Sequence, residues 1–224
     1  MLEKARKSAQ AFCKTGKSTA IGHTGGWCLE SQNTGIMIDF PSSGIAYELA
    51  KFHSTPSPRV VSKLVDLFRR ENITTVNDFG AGIAQYKSAI TKEVPHLRYD
   101  AYDGAGNGEA YTKGMMEYID LTLPLDLPVA DWVISLEVGE HIPSKFEGMY
   151  IRNLHRHNTK GLVLSWAILG QGGHSHVNNH SNEYIIKLFE SLGYQYDVEL
   201  TQRMRRTKHN FRWFTRSVFV LRKV

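Results

Sequence analysis

The sequence predicts an α/β fold: seven strands in a mostly parallel sheet, helices on both faces, and an antiparallel hairpin at the C-terminal end. Three observations carry this. From residue 58 onward, short apolar runs alternate with segments of helical period, the pattern of consecutive βα units. Acids stand at the ends of four of those runs: Asp78, Asp103, Asp120 and Glu137. A tight Gly80-Ala81-Gly82 turn follows the first of them. Residues beyond the C-terminal ends of parallel strands meet in one crevice, so these acids are expected to converge.

At 224 residues, one domain with a sizeable core is expected. The hydrophobic fraction of 42% and charged fraction of 22% are those of a globular protein. No apolar run approaches the ~20 residues that a bilayer requires, which excludes a spanning role for any segment and a membrane partner with it. Residues 1–7 lack the apolar block of a secretory signal. Cys13 and Cys28 are too few for a disulfide framework, and both observations point to a reducing, cytoplasmic location. The net charge of +5 permits an anionic partner without requiring one.

Residues 1–57 read differently from the rest. They predict a helix over 3–13, a Gly- and Thr-rich stretch over 15–35, and a helix over 43–52 with Ile45, Leu49 and Phe52 on one face. This region is read as a cap or lid of the same domain, ahead of a main body over 58–224. Gly16-Lys17-Ser18 is not a phosphate loop, because Ala11 stands where its first glycine belongs and no strand precedes it.

Ser57 can cap and Pro58 can open a helix whose apolar face is Val60, Val61, Leu64, Val65 and Phe68. A strand over 73–79 and a helix over 83–93 follow, the helix stopping before Pro95. Strands are predicted over 97–102, 116–120 and 131–137. Ser144 and Glu147 have the spacing of a capping box for a helix over 145–156. A fifth strand over 161–167 leads into a Gly-, His- and Asn-rich loop over 172–180. The next helix, 183–192, turns Ile185, Leu188, Phe189 and Leu192 inward and stops at Gly193. Strands over 196–200 and 213–222 have no evident helix between them and are expected to pair antiparallel.

The first strand, turn and helix start can bring backbone close to a ligand, because glycine tolerates unusual angles and helix-start N–H groups lack partners. Asp103 lies 23 residues beyond Gly80 (103 − 80), the place of an acid that accepts both hydroxyls of a ribose. On Val76-Asn77-Asp78-Phe79-Gly80-Ala81-Gly82, Asp103, Ile119-Asp120-Leu121 and Glu137-Val138-Gly139-Glu140-His141-Ile142-Pro143, taken in order, the chain resembles the class I S-adenosylmethionine (SAM)-dependent methyltransferases. The resemblance covers roughly residues 58–224 and implies a Rossmann-like sheet with SAM as cofactor. It places Asp78, Gly80, Ala81, Gly82, Asp103, Asp120, Leu121 and Glu137 at the cofactor. Asp103 would hold the ribose and Asp120-Leu121 would contact adenine. Asp78 lies near the methionine moiety or fixes the turn, and Asp120 has turn capping as its other reading. Ala84 replaces a third glycine found in many members. Gln85, where a dinucleotide turn ends in glycine, disfavours a dehydrogenase.

Glu137, Glu140 and His141 form a second cluster with the 172–180 loop. Glu-x-x-Glu-His resembles the metal-binding segment of ubiquinone-biosynthesis O-methyltransferases and of small-RNA 2′-O-methyltransferases. In the latter, His176 ahead of Tyr184 matches a further ligand. Three readings follow. Glu137, Glu140, His141 and His176 could hold a divalent cation. His141, His174 or His176 could serve as a general base without metal, the favoured reading. Or the loop could simply hydrogen-bond the substrate. The expected activity is methyl transfer to an O or N nucleophile of a small-molecule acceptor. RNA 2′-O-methylation is the alternative, and a SAM-binding partner protein without turnover is the alternative of another class. The run over 203–214 mixes bases with aromatics, as single-strand nucleic-acid sites do, or forms a solvated loop.

Overall fold

The first long helix of the main body starts where its caps put it. In the computed structural model, which describes residues 1–15, 26–29, 55–173, 175–206 and 211–224, the Ser57 hydroxyl accepts the Val60 N–H and Pro58 occupies the first turn of α2 (Pro58–Arg70). Val60, Leu64, Val65, Leu67 and Phe68 are buried along one face of it. Ahead of it lies α1 (Leu2–Thr15). The expected helix over 43–52, most of the 15–35 stretch and His174 lie outside the described residues.

Then come β1 (Thr75–Phe79), α3 (Gln85–Glu93), β2 (Arg98–Asp103), a short α4 (Gly108–Tyr111), β3 (Glu117–Tyr118) and β4 (Ala130–Ser135). They continue into α5 (Glu147–Arg156), β5 (Asn158–Ser165), α6 (Asn182–Ser191), β6 (Tyr194–Tyr196), α7 (Val198–Arg205), α8 (Phe214–Ser217) and β7 (Val218–Lys223). The seven-stranded sheet has the order β3-β2-β1-β4-β5-β7-β6. The first five strands are parallel, and β7 runs antiparallel to both β5 and β6. Successive residues of a strand point to opposite faces, so β4 feeds both layers. Trp132 and Ile134 join α2 and α3 in one core, and Val133 joins α5 and α6 in the other. Burial on both faces explains why these strands read as continuous apolar runs.

Three local expectations change. β6 and β7 do pair antiparallel, but α7 and α8 lie between them. Asp197, placed by the sequence in a strand over 196–200, instead accepts the Leu200 N–H as the N-cap of α7, which buries Leu200, Thr201 and Met204. The 213–222 strand begins only at Val218, because Phe214 and Ser217 turn inward as a helical turn. Ser144 makes no cap: residues 144–146 form a 3₁₀ turn and α5 starts at Glu147.

Cys13 and Cys28, read from the sequence as too few for a disulfide framework, form a single disulfide with each other. Spacing could not signal it, because the pairing depends on the loop after β2. Ala9 of α1 packs on Gly106 so closely that a Cβ there would sit 2.4 Å from the Ala9 carbonyl oxygen. The Gly106 N–H donates to the Trp27 carbonyl (2.9 Å), and the Asn107 side chain pairs with both the N–H and C=O of Leu29 (2.7 and 2.6 Å). These contacts bring the two cysteine Cα atoms to 5.6 Å. Among the described residues, no helix is long and apolar enough to cross a membrane.

Arg222 of β7 ties the far edge together. Its Nη1 and Nη2 donate to the two Glu71 oxygens at the end of α2 (3.1 and 2.9 Å), and its Nε donates to Asp197 (2.7 Å). Arg222→Met is expected to cost about 2 kcal/mol, the scale of charged hydrogen bonds lost from a half-buried site. Urea unfolding measures it, and an unchanged midpoint would show the pair to be screened by solvent.

Candidate active site

Gly80 sits at φ +87, and a Cβ on it would lie 2.2 Å from Val138 Cγ2, so only glycine fits between β1 and the segment after β4. The amides of the turn itself are used within the protein. Gly80 and Ala81 both donate to the Tyr102 carbonyl (2.8 and 2.9 Å), and Gly82 donates to Asp103 Oδ2 (2.7 Å). The helix begins late, at Gln85, after Ala84 in the left-handed region. The turn therefore serves chiefly to fix Asp103.

Asp103 is buried at the end of β2. Its Oδ1 accepts the Ala105 N–H and the Trp27 indole N–H, both at 2.8 Å. Burial pushes its carboxyl up to about 6 against the pull of these donors. Asp78, also buried, accepts the Tyr99 hydroxyl (2.8 Å). Burial raises it to about 7, with the charge of Asp103 adding to the rise. Asp120 acts within its own turn, accepting the N–H and hydroxyl of Thr122 (2.9 and 2.6 Å). Leu121 is buried in the core, and its carbonyl accepts from Asn153 (3.1 Å).

The second cluster follows β4 and β5, at the same sheet end. Glu137 takes φ +57, its N–H donates to Ser165 Oγ (2.7 Å) and its carboxylate accepts from Ser217 (3.1 Å). Glu140 is fully buried, and as an ion it has no well-aligned donor on either carboxylate oxygen among the described residues. Burial, then the charge of Glu137, pushes Glu140 well above the usual carboxylate range, and burial raises Glu137 too. Ligand-capable atoms of Glu140, His141 and His176 lie within 4.8 Å of one another, and the two imidazole rings meet edge to face at 5.1 Å. Nδ1 of His141 faces the Ser175 carbonyl and Nδ1 of His176 faces the Gln171 carbonyl, each at 3.3 Å. A carbonyl only accepts, so each of these contacts is a hydrogen bond in the tautomer with its hydrogen on Nδ1. Glu137 reaches this cluster through Glu140.

Sequence reasoning missed the anchor of the loop. Glu147, assigned to a capping box, instead accepts from Asn178 (2.7 Å), His180 (2.6 Å) and the Tyr184 hydroxyl. His180 stacks on Tyr184 with centroids 4.0 Å apart. The buried Trp166 donates to the Asn178 carbonyl (2.6 Å), while the Val177 and Asn178 N–H groups donate to the Glu140 carbonyl. These partners lie some thirty residues from Glu147, beyond any local pattern. The basic run over 203–214 is partly structural: Arg205 donates to the Val218 carbonyl, and Phe211 and Phe214 pack on the core, while Trp213 is exposed.

No protein-family model and no curated protein matches this chain. Solved structures do. The magnesium protoporphyrin IX methyltransferase ChlM from Synechocystis PCC 6803 with bound SAH is 17% identical, with a TM-score of 0.56 over 82% of this chain and 90% of that one. An O-methyltransferase family protein from Burkholderia thailandensis is 12% identical, with a TM-score of 0.56 over 79% and 56%. The small RNA methyltransferase HEN1 is 17% identical, with a TM-score of 0.55 over 74% of this chain but only 25% of its own. The fold is the Rossmann-like fold of these methyltransferases.

Burial alone would raise Glu147, but the hydrogen bonds from Tyr184, Asn178 and His180 outweigh it and hold the carboxyl below its ordinary value. A depressed carboxyl adds stability above its unfolded pKa and loses it as pH falls through the folded one. Glu147→Gln should therefore lower the melting temperature at pH 7, by the equivalent of about 2 kcal/mol. That gap should close as pH falls below the ordinary carboxylate range. A gap that persists in acid would mean that Glu147 acts through packing instead.

Proposed function

We propose that this protein is a SAM-dependent methyltransferase that acts on an O or N nucleophile of a small-molecule acceptor. The observation that carries the reading is the buried, donor-held carboxylate of Asp103 at the end of β2, on a fold whose solved examples include methyltransferases crystallised with SAM and SAH. SAM supplies a sulfonium methyl that is already activated, so the protein's task is alignment and exclusion of water. Asp103 would accept the ribose hydroxyls, with Asp78 beside the methionine moiety and Asp120 and Leu121 along the adenine. Gly80, Ala81 and Gly82 keep side-chain bulk away, and Glu137 borders the cofactor from the segment after β4. Residues 58–224 form the cofactor domain and residues 1–57 its cap.

On the acceptor side, His141 and His176 are the imidazoles that would take the acceptor proton, and His174 is the third candidate. Glu140 beside them is the acid that would hold an arriving positive charge. The same three residues favour a second reading. A carboxylate without a well-aligned donor and two imidazoles beside it suit a divalent cation, which would lower the pKa of a bound hydroxyl, and Glu137 stands behind Glu140 as a fourth group. That arrangement, the net charge of +5 and the exposed Trp213 support RNA 2′-O-methylation as the alternative substrate class. A SAM-binding partner without turnover is separated from both by a methyl-transfer assay on metabolite and RNA pools. We infer a cytoplasmic location with one qualification of chemistry: disulfides there are rare and mostly redox-responsive, so the Cys13–Cys28 bond would be of that kind.

Asp103→Ala should weaken SAM binding about tenfold or more by calorimetry, since each ribose hydrogen bond to a carboxylate contributes roughly 1.5–3 kcal/mol. Because burial raises the Asp103 carboxyl to about 6 and the ionised form is the stronger acceptor for a ribose hydroxyl, wild-type affinity should fall as pH drops through that value and level off above it. Unchanged affinity in the variant removes Asp103 from the site.

The acceptor cluster has its own test. In the metal-free case a chelator leaves turnover intact and His141→Ala or His176→Ala loses most of it. In the cation case the chelator abolishes turnover, added Mg²⁺ or Mn²⁺ restores it, and Glu140→Ala is as damaging as either histidine variant. Full activity of the His141→Ala/His176→Ala double variant would leave these residues as loop structure.

A further inference from the structure

Asp103 is held from one side by a segment outside the βα framework. Trp27 lies in residues 26–29, and its indole N–H donates to Asp103 Oδ1. Oδ1 takes two well-aligned donors, from Trp27 and Ala105, whereas Oδ2 takes one, from Gly82, and the Gly104 N–H adds a weaker pull on the carboxylate. The indole therefore fixes the rotamer of the carboxylate from the Oδ1 side and leaves Oδ2 with room to accept a further donor. The segment itself is fastened at three points. Trp27 bridges Ala105 and accepts from Gly106, Leu29 is paired with the Asn107 side chain, and Cys28 is bonded to Cys13 of α1. Cys28 and Leu29 are buried, and Ala9 of α1 packs on Gly106. The disulfide, α1 and the loop after β2 thus close around one carboxylate.

Without the disulfide, residues 26–29 would be joined to α1 only through the chain between them, and holding the segment in place would cost more chain entropy. Cys13 is half-buried and Cys28 is buried, so a small dithiol would act from the Cys13 side. Reduction is a two-electron exchange: the S–S bond breaks, both cysteines become thiols with protons from the dithiol, and the dithiol becomes a cyclic disulfide.

We propose that Trp27 is a positioning residue for the cofactor, fastened on Asp103 by the Cys13–Cys28 disulfide, so that reduction of the disulfide weakens SAM binding. The inference rests on the reading of Asp103 as the ribose acceptor. Electrostatically, Asp78 of β1 and Tyr118 of β3 act on the same carboxylate. The indole N–H is one of the donors that draw the Asp103 carboxyl down against its burial.

The test is SAM affinity of the full chain by calorimetry from pH 5.5 to 8.5. Trp27→Phe keeps the ring and removes the donor. It should bind SAM about threefold to tenfold more weakly at pH 8, and the pH at which affinity falls should move upward. Trp27→Gln, which restores an N–H donor, should move that pH back. Wild type treated with dithiothreitol, and Cys13→Ser/Cys28→Ser without it, should weaken to a similar extent, and reduction should add little to Trp27→Phe, because the two act through one contact. Equal affinity of oxidised and reduced wild type overturns the proposal even if the tryptophan variants fail to fold. So does an unshifted pH profile in Trp27→Phe, or tighter binding, which would make Trp27 an occupant of the ribose position. Absence of SAM binding by the oxidised wild type would instead remove the methyltransferase reading, and this inference with it.

Discussion

The arrangement of this protein depends on keeping a carboxylate ionised inside a sheet edge. Burying a lone carboxylate is costly, and the cost falls only when donors replace lost water. Asp103 draws those donors from three places that are far apart in sequence: the glycine turn after β1, the start of the loop after β2, and Trp27 near the N-terminus. The glycine turn is thus better understood through what it gives to Asp103 than through any amide of its own. Its conformation is in turn imposed by Val138, which closes on Gly80 from the segment after β4. One constraint joins the first, second and fourth strands at the end where a ligand would sit.

The acceptor side uses acids differently. Glu147 is satisfied several times over and behaves as a structural anchor, drawing Asn178, His180 and Tyr184 onto the start of α5. Glu140 is the opposite, a buried carboxyl without well-aligned donors, next to two imidazoles whose Nδ1 atoms face backbone carbonyls. A satisfied acid holds a loop in place. An unsatisfied one at the loop's inner edge is a strained group that a proton or a cation relieves. The contrast between them separates scaffold from chemistry across seven residues of chain, from Glu140 to Glu147.

Much of the fold was legible because it is local. The Ser57-Pro58 helix start, the apolar runs of β1, β4 and β5, and the stop at Gly193 all follow from backbone rules acting over a few residues. Errors arose where two local rules competed. Asp197 and Leu200 sit in a run that alternates like a strand, yet the aspartate caps a helix there, and the i, i+1, i+4 burial of Leu200, Thr201 and Met204 rewards that choice. Ser144 and Glu147 had the spacing of a capping box, but Glu147 finds stronger partners on the next loop.

By itself, then, the chain determined the order of its elements as far as Gly193, the glycine turn and the acids at the strand ends, since each rests on short-range sterics and hydrophobic period. It also narrowed the candidate acceptor groups to Glu137, Glu140, His141 and the 172–180 loop. Which of these meet was decided by tertiary structure. The union of Glu140, His141 and His176, the grip of Glu147 on His180, and the contact of Trp27 with Asp103 beside the Cys13–Cys28 bond join residues whose separation in sequence carries no periodic signal. Such contacts exist only once the sheet has set the strand ends side by side, because it is burial between packed elements that turns a distant pair of polar groups into mutual partners.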